Sequence, residues 1–572
     1  MVMLEVFTPS TDPLGRQWLS AMLALLPILA MLVTLGLLRW KAHVAGAFSW
    51  GVALLVAVLA FKMPVVQALS TSAHGFVYGL FPIVWILLTA IWMYEVTVAS
   101  GRFEDLRRTF FLISDDPRVV GLIVAFCFGG LLEALAGYGA PVAITAAMLI
   151  AVGFSPLRSA VIALLANTVP VAFGAVGLPV LMAARTGGFD DVLAIAPITG
   201  RITALLCLVV PFALLWVMDG RKGLAECWPI GLAIALAFGA TKWIVSSTQL
   251  YNLTELFAAV VSVGVAIVVL RFWKPRGGEA SRARIGVPMD AEAERGYRRD
   301  AAGTAAQQAA VQDEAPLTAR RIVMALVPYL MVIAVFAVAA IPAVKRALSS
   351  TDLTIAWPGL SQLMNASGDP SAHQHFTLGW ASTPGILLAL VAISTGLIYK
   401  MSLKQIFGVL WKNVVRMRFA ALTIGLVVAL AYVMGDSGQT LALGMFVAGA
   451  GAIYAALAPV LGWIGTYVTG SDTSANILFS GLQSSVGYQI GPGTHLGVEG
   501  MRALLVGSNA AGGVVGKMIS PQSLTIAATA IGLAGAESVI LRKVFGWSIA
   551  LLALMCVLTG LMSTPVLSWL LP

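Results

Sequence analysis

Isolated charges inside long apolar runs carry most of the chemical content of this sequence. Glu133 is the only charged residue between positions 119 and 157, and Lys517 is the only one between positions 503 and 536. A charge at the centre of a bilayer costs about 2.5 to 3.5 kcal/mol on insertion scales, so residues kept there usually serve function. We predict that Glu133 loads and releases a proton, and that Lys517 receives an anion or pairs with an acidic side chain. The alternatives are a structural hydrogen bond for Glu133 and snorkelling to the interface for Lys517.

Helix-breaking residues follow Glu133 directly. Gly137, Tyr138 and Gly139 come just before Pro141, and glycine and proline together free backbone N–H and C=O groups. In lipid, such irregular backbone is tolerated only inside protein or beside a wet cavity. We therefore predict that Gly137, Tyr138 and Gly139 bind substrate, although a tight crossing of small residues is the alternative.

A second polar stretch lies between apolar segments at residues 470–476. A re-entrant hairpin whose tip binds an ion or a carboxylate fits this pattern better than an ordinary turn, because free N–H groups and hydroxyls at a helix N-terminus suit an anion. The predicted proton-coupling residue here is Asp472, and the predicted substrate-binding residues are Ser471, Thr473, Ser474 and Asn476.

Each polar stretch is followed by a segment that begins with asparagine. Asn167 and Asn509 each precede a glycine by seven residues, and a proline follows soon after. Paired interruptions at matching positions of two halves indicate a transporter site. We predict that Asn167, Asn509, Ser520 and Gln522 bind substrate, while a capping or interhelical role is equally open for the two asparagines.

Composition sets the fold class. Of 572 residues, 59% are hydrophobic and 11% are charged, against about 25% charged in soluble domains. The continuous apolar runs predict an all-α integral membrane protein with about 12 to 14 transmembrane helices. These form two pseudo-repeated halves with broken helices or re-entrant hairpins. We divide the chain into an N-terminal half (1–273), a hydrophilic cytoplasmic linker (274–321) and a C-terminal half (322–572).

Charge and motifs exclude several function classes. The net charge of +9 is the expected bias of Lys and Arg toward cytoplasmic loops, so no nucleic acid is predicted. The same bias places both termini outside. The sequence has no phosphate loop and no Cys or His spacing typical of a metal site. We therefore predict neither an enzyme nor a cofactor, metal or disulfide.

Four motifs in order carry a family resemblance. They are F-C-F-G-G-L-L-E-A-L-A-G-Y-G-A-P-V-A-I-T (126–145), N-T-V-P-V-A-F-G-A-V-G-L-P (167–179), T-G-S-D-T-S-A-N (469–476) and G-K-M-I-S-P-Q-S (516–523). The chain closely resembles the bacterial L-lactate permease family over nearly its whole length. The resemblance implies proton symport of L-lactate, D-lactate and glycolate across the inner membrane, without a cofactor. A sodium-coupled carboxylate carrier is the alternative, although Lys517 is the only cation evident in the core. A homo-oligomer is left open.

Overall fold

The computed structural model confirms a predominantly helical, multi-pass membrane architecture. It describes residues 5–38, 40–137, 139–291, 294, 317–366, 368–451 and 453–572. Tyr138, which we predicted to bind substrate, lies outside these ranges.

The first part of the chain forms fourteen of the α-helices that we label here. They are α1 (Gln17–Leu32), α2 (Ala42–Leu59), α3 (Val65–Tyr78), α4 (Trp85–Ala99), α5 (Arg102–Phe111), α6 (Pro117–Leu122), α7 (Gly129–Ala136), α8 (Ala140–Val152), α9 (Pro156–Ala166), α10 (Gly174–Thr186), α11 (Ala196–Cys207), α12 (Val210–Ser246), α13 (Thr254–Phe272) and α14 (Gly278–Ile285). A π-helical segment, Ile123–Phe128, joins α6 to α7.

The second part adds ten helices and a two-stranded antiparallel sheet. The helices are α15 (Ala319–Ala340), α16 (Pro342–Ser349), α17 (Pro384–Ile398), α18 (Leu403–Asp436), α19 (Gln439–Ala448), α20 (Ile453–Thr469), α21 (Asp472–Ile490), α22 (Gly497–Lys517), α23 (Pro521–Ala530) and α24 (Glu537–Met562). The strands are β1 (Leu353–Ala356) and β2 (His375–Leu378), with Leu353 opposite Leu378.

Nine helices in the described part of the chain are long and apolar enough to cross a membrane. The number rises to as many as ten if Pro156–Ala166 and Val171–Thr186, which are bent by 61°, form one broken span. The count is lower than the predicted 12 to 14 crossings because several apolar helices are short and because Ala196–Ser246, 51 residues long with a break at Asp219 and Gly220, counts once. Ala140–Val152 and Ile453–Thr469 are among the apolar helices of only 10–17 residues.

Burial separates the lipid-facing helices from the interior ones. Large apolar side chains such as Phe272 and Trp411 are 88% and 68% exposed, which suits contact with lipid tails. By contrast, the most apolar window of Pro117–Leu135 is 100% buried, against 28% for Ala319–Ala340. Glu133 therefore lies on a segment that protein encloses on all sides.

The first hairpin, residues 117–152, enters the molecule and returns to the same face. At its start, the Arg118 guanidinium donates to the backbone oxygen of Arg276. Just beyond its end, the Ser155 amide donates to the backbone oxygen of Ile285, 3.1 Å away. Both ends thus lie beside α14, and the helix ends at Gly137 and Gly139 form the tip.

The second hairpin, residues 453–490, consists of α20 and α21. The Tyr454 hydroxyl donates to the Gln483 side chain at 2.9 Å, so the two helices run antiparallel with Gly470 and Ser471 at the tip. Beyond the open end, Arg502 donates to the backbone oxygen of Gly187, which follows α10. Since α9 and α10 run from the α14 face to this opposite face, the two hairpins enter from opposite sides.

The first part of the predicted linker packs onto the base of the first hairpin. Arg284 of α14 forms an ion pair with Asp219 at 2.7 Å, and Arg118, fully buried, bridges Asp116 and Asp219 at 2.8 and 3.1 Å. Residues 278–285 are helical and anchored to the N-terminal half. The division of the chain at 274–321 stays a prediction.

Candidate functional site

A buried ion pair joins the two halves at the centre of the molecule. The Lys517 ammonium donates to Glu133 Oε1 at 2.6 Å, and the Asn167 side chain donates to Glu133 Oε2 at 2.9 Å. Glu133 and Lys517 are 2% and 8% exposed. Three predicted residues from distant parts of the sequence therefore meet, and both oxygens of the glutamate are occupied.

Helix ends bring these groups together. Helix α7 stops one turn after Glu133, where Gly137 adopts a φ of 34°. Lys517 is the last residue of α22, and Ser520 then caps the next helix by accepting from the Ser523 amide. Asn167 ends α9. Interrupted helices expose backbone groups inside the protein, and polar side chains can stay hydrated or paired there.

A cavity of about 610 Å³, including open space at its mouth, surrounds the ion pair. Both hairpin tips and α23 contribute to its wall. The lining residues are Leu87, Glu133, Gly137, Gly139, Val171, Gly174, Ala175, Leu178, Pro179, Ile424, Gly470, Ser471, Asp472, Thr473, Lys517, Gln522, Ser523 and Ile526.

The tip of the second hairpin presents a helix N-terminus to this cavity. Ser471 caps α21 by accepting from the Ser474 amide. Asp472, 3% exposed, accepts a long hydrogen bond from the Thr466 hydroxyl at 3.4 Å, while its other oxygen has no partner within the described residues. A cap, a positive helix end and a buried carboxylate with a vacant oxygen can bind a polar ligand.

Not all predicted site residues reach the cavity. Asn476 and Asn509 are fully buried, and the Asn509 side chain donates to the Asn476 side chain at 2.9 Å. Gln483 donates to Asn509, and Asn476 donates to the backbone oxygen of Pro179. These amides tie the second hairpin to α10 and α22. Ser474 and Ser520 do not line the cavity either. The Ser474 amide donates to the Ser471 cap of α21, and the Ser520 side chain caps α23.

The break between α9 and α10 lies directly against Glu133. A side chain added at Gly174 would come within 3.0 Å of Glu133 Oε1. The next residues, Ala175 and Val176, adopt φ values of 44° and 60°, a region that β-branched residues rarely enter. Backbone strain of this kind often accompanies functional sites.

A second buried ion pair supports this break and was missed by the sequence analysis. Lys242 and Glu255, both fully buried, form a salt bridge, and Lys242 also donates to the backbone oxygen of Val169 at 2.7 Å. The prediction that Lys517 is the only core cation is therefore wrong. Each of the two residues lies near the end of an apolar run, where a charge ordinarily reaches the interface.

Close helix packing fixes the position of Asp472. A methyl group added at Gly513 would come within 1.9 Å of Asp472 Oδ1. We expect Gly513→Ala to destabilise the protein by about 1–3 kcal/mol, the usual cost of overpacking, measured by thermal unfolding in detergent. Gly546→Ala is the matched control, because no heavy atom lies within 4 Å of that position. Equal stability of the two variants would contradict this packing.

A histidine pair with a carboxylate lies away from the central cavity. The His373 ring nitrogen lies 2.8 Å from Asp436 Oδ1, and its ring stacks on Tyr432 with centroids 4.1 Å apart; His74 is the nearest other titratable ring, at 5.5 Å. Burial lowers the pKa of His373, but the charge and hydrogen bond of Asp436 raise it more, so the net pKa lies above its ordinary value.

The His373–Asp436 contact predicts a pH-dependent contribution to the stability of the fold. A raised folded-state pKa stabilises the protein fully below the unfolded value of about 6.5, and the effect is lost as pH rises through the folded value. We expect His373→Gln to lower the unfolding temperature more at about pH 6 than at about pH 9. A difference that stays constant over this range would contradict the pairing.

Interrupted helices that meet around a buried ionic site, within a multi-pass helical membrane protein, are typical of secondary transporters. The L-lactate permease family model matches residues 20–566, and the chain belongs to that family; it is a permease rather than an enzyme. The L-lactate permease of Bacillus subtilis (strain 168) is 36% identical, covering 99% of this chain and 100% of that protein.

Two further proteins are similar over nearly the full length. The glycolate permease GlcA of Escherichia coli (strain K12) is 36% identical, covering 94% of this chain and 95% of its own. Among solved structures, Neisseria gonorrhoeae MtrF, described as one of a class of antimetabolite efflux pumps, has a TM-score of 0.47 at 12% identity, covering 94% of this chain and 97% of that chain.

Proposed function

We propose that this protein imports lactate, in both enantiomers, and glycolate across the bacterial inner membrane by proton symport. The observation that carries the proposal is the buried Lys517–Glu133 ion pair at the wall of the central cavity. The similarity to permeases named for L-lactate and glycolate supports the substrate class, since both anions are small 2-hydroxy monocarboxylates.

Charge balance in the cavity explains why an anion and a proton travel together. In the empty site, Lys517 and Glu133 neutralise each other. When a carboxylate binds Lys517, a proton on Glu133 keeps the total charge unchanged. Either ligand alone leaves an unbalanced charge inside the protein, which is costly at this depth. The loaded and empty carriers are then the two forms that change conformation readily.

The second hairpin and α23 supply the side chains that recognise the substrate 2-hydroxyl. Ser471, Thr473 and Gln522 line the cavity, and Asp472 has an oxygen without a described partner. These groups can donate to and accept from a 2-hydroxyl. A site built to hydrogen-bond a substrate hydroxyl discriminates strongly against analogues that lack it, so propionate should compete poorly with lactate.

Sodium coupling is the second candidate, because Asp472 and neighbouring hydroxyls offer oxygen ligands that a hard cation prefers. Against it, charge balance through Glu133 requires no second cation.

Reconstituted transport separates the two candidates. We would measure uptake of labelled lactate into proteoliposomes under an imposed pH gradient and, separately, under a sodium gradient. Proton symport predicts accumulation with the pH gradient alone and collapse of that accumulation by a protonophore. Uptake that requires sodium and ignores the pH gradient would overturn the proton assignment.

A further inference from the structure

A second polar space lies at the opposite end of α10 from the Glu133 break. Two neighbouring cavities of about 1300 and 1520 Å³, both including open solvent at their mouths, share several wall residues, so we treat them as one outer vestibule. The shared residues are Tyr78, Pro82, Arg185, Asp190, Asp352, Ser382 and Thr383. The Lys and Arg distribution predicts that this face points away from the cytoplasm.

Arg185 is an exposed cation within this vestibule. No ion pair or hydrogen bond joins its guanidinium to another residue in the part of the chain that the structure describes. It lines the vestibule together with Tyr78, Tyr251 and Tyr432. Tyr78 and Tyr432 pack with ring centroids 5.9 Å apart. A planar guanidinium can bind a carboxylate through two parallel hydrogen bonds, and a tyrosine hydroxyl can donate a further one.

The vestibule lies beyond the central cavity along two helices that line both spaces. On α10, Leu178 lines the central cavity and Arg185 lines the vestibule, about 10 Å further along at 1.5 Å per residue. On α18, Ile424 likewise lines the central cavity and Tyr432 lines the vestibule. Leu87 belongs to the same apolar layer as Leu178 and Ile424, which separates the two spaces.

We propose that Arg185, with the Tyr78 and Tyr432 hydroxyls, forms an outer subsite that binds the substrate carboxylate before it crosses this apolar layer to Lys517. The inference rests on the proposed function. It adds a second cation on the substrate path, at the vestibule rather than at the coupling site. The subsite requires only a carboxylate, so it accepts acetate as well as lactate and glycolate.

Acidic side chains in the same vestibule limit which anions fit. Asp190, Asp191 and Asp352 line its walls, and Asp352 accepts from the Ser382 hydroxyl at 2.7 Å. A second carboxylate on the ligand would face these like charges. Succinate should therefore bind the outer subsite more weakly than a monocarboxylate of similar size.

Transport kinetics test the role of Arg185. In proteoliposomes at low ionic strength, Arg185→Gln should raise the KM for lactate about tenfold, the loss expected for a charge-assisted hydrogen bond, with a smaller change in maximal rate. Lys345→Gln is the matched control, because Lys345 lies in the same vestibule but already donates to Gln249. An unchanged KM in Arg185→Gln would overturn the proposal and leave Arg185 as a cation at a helix end.

A binding measurement isolates the outer subsite. In Lys517→Met, where the central cation is absent, saturation-transfer NMR on the lactate methyl group should still detect weak saturable binding. Adding Arg185→Gln should abolish it, and its persistence in the double variant would contradict the assignment. If the wild-type protein fails to transport lactate, the proposed function fails. The outer subsite is then tested separately by acetate and succinate binding in the same two variants.

Discussion

Lys517→Met is expected to lower lactate uptake at least about 30-fold, because truncating one partner of a buried charge pair costs about 2–5 kcal/mol. The methionine keeps the length of the side chain but removes the only described cation that lines the central cavity. Substrate carboxylate then enters the protein without a counter-charge. Initial rates of labelled uptake, normalised to the amount of inserted protein, measure the effect.

A double variant separates lost function from lost folding. Lys517→Met leaves Glu133 charged without its partner, which should also destabilise the fold. Lys517→Met combined with Glu133→Gln removes both charges, so the unfolding temperature should recover toward that of the wild type. Uptake should stay low. Recovery of uptake together with stability would mean that the ion pair is only structural.

Glu133→Gln is expected to abolish proton-driven accumulation while exchange of internal for external lactate continues. The glutamine keeps a side chain of equal size beside Asn167 but cannot carry a proton. Net uptake requires the empty carrier to return with Lys517 neutralised, whereas exchange returns it loaded. Net accumulation should fall at least about 30-fold, by the same buried-pair cost of about 2–5 kcal/mol, with a much smaller fall in exchange.

The comparison with Asp472 decides which carboxylate carries the transported proton. Asp472→Asn keeps the cap region and the Thr466 contact, and it leaves the Glu133–Lys517 pair intact. Although the sequence predicts a coupling role for Asp472 as well, charge balance in the cavity requires only Glu133, so we expect this variant to retain pH-driven accumulation with altered affinity. Full accumulation by Glu133→Gln, together with loss in Asp472→Asn, would move the coupling role from Glu133 to Asp472.

The sequence singled out the central residues because charge deep in an apolar run has few explanations. Glu133, Lys517 and Asn167 were each identified from local context, and the structure brings them together at 2.6 and 2.9 Å. Breaks at glycine and proline also marked the hairpin tips. These features depend on residue type and spacing alone, so a single sequence reveals them.

Roles that depend on packing were not predictable in the same way. Asn476 and Asn509 lie in polar stretches where site residues are expected, yet their side-chain amides bond to each other. Any broken helix also needs partners for its own polar groups. Lys242 and Glu255 pair across a turn, and nothing in their separate positions distinguishes this pair from two interface charges. The left-handed backbone at Ala175 and Val176 opposes their intrinsic preference, so only tertiary contacts can impose it.

Density for bound lactate would test the central claim most directly. We expect a map of the wild-type protein with saturating lactate to place the carboxylate within about 3 Å of Lys517 Nζ, between the tips of the two hairpins, with Glu133 displaced from the ammonium. An intact Lys517–Glu133 contact with lactate bound elsewhere would contradict this account.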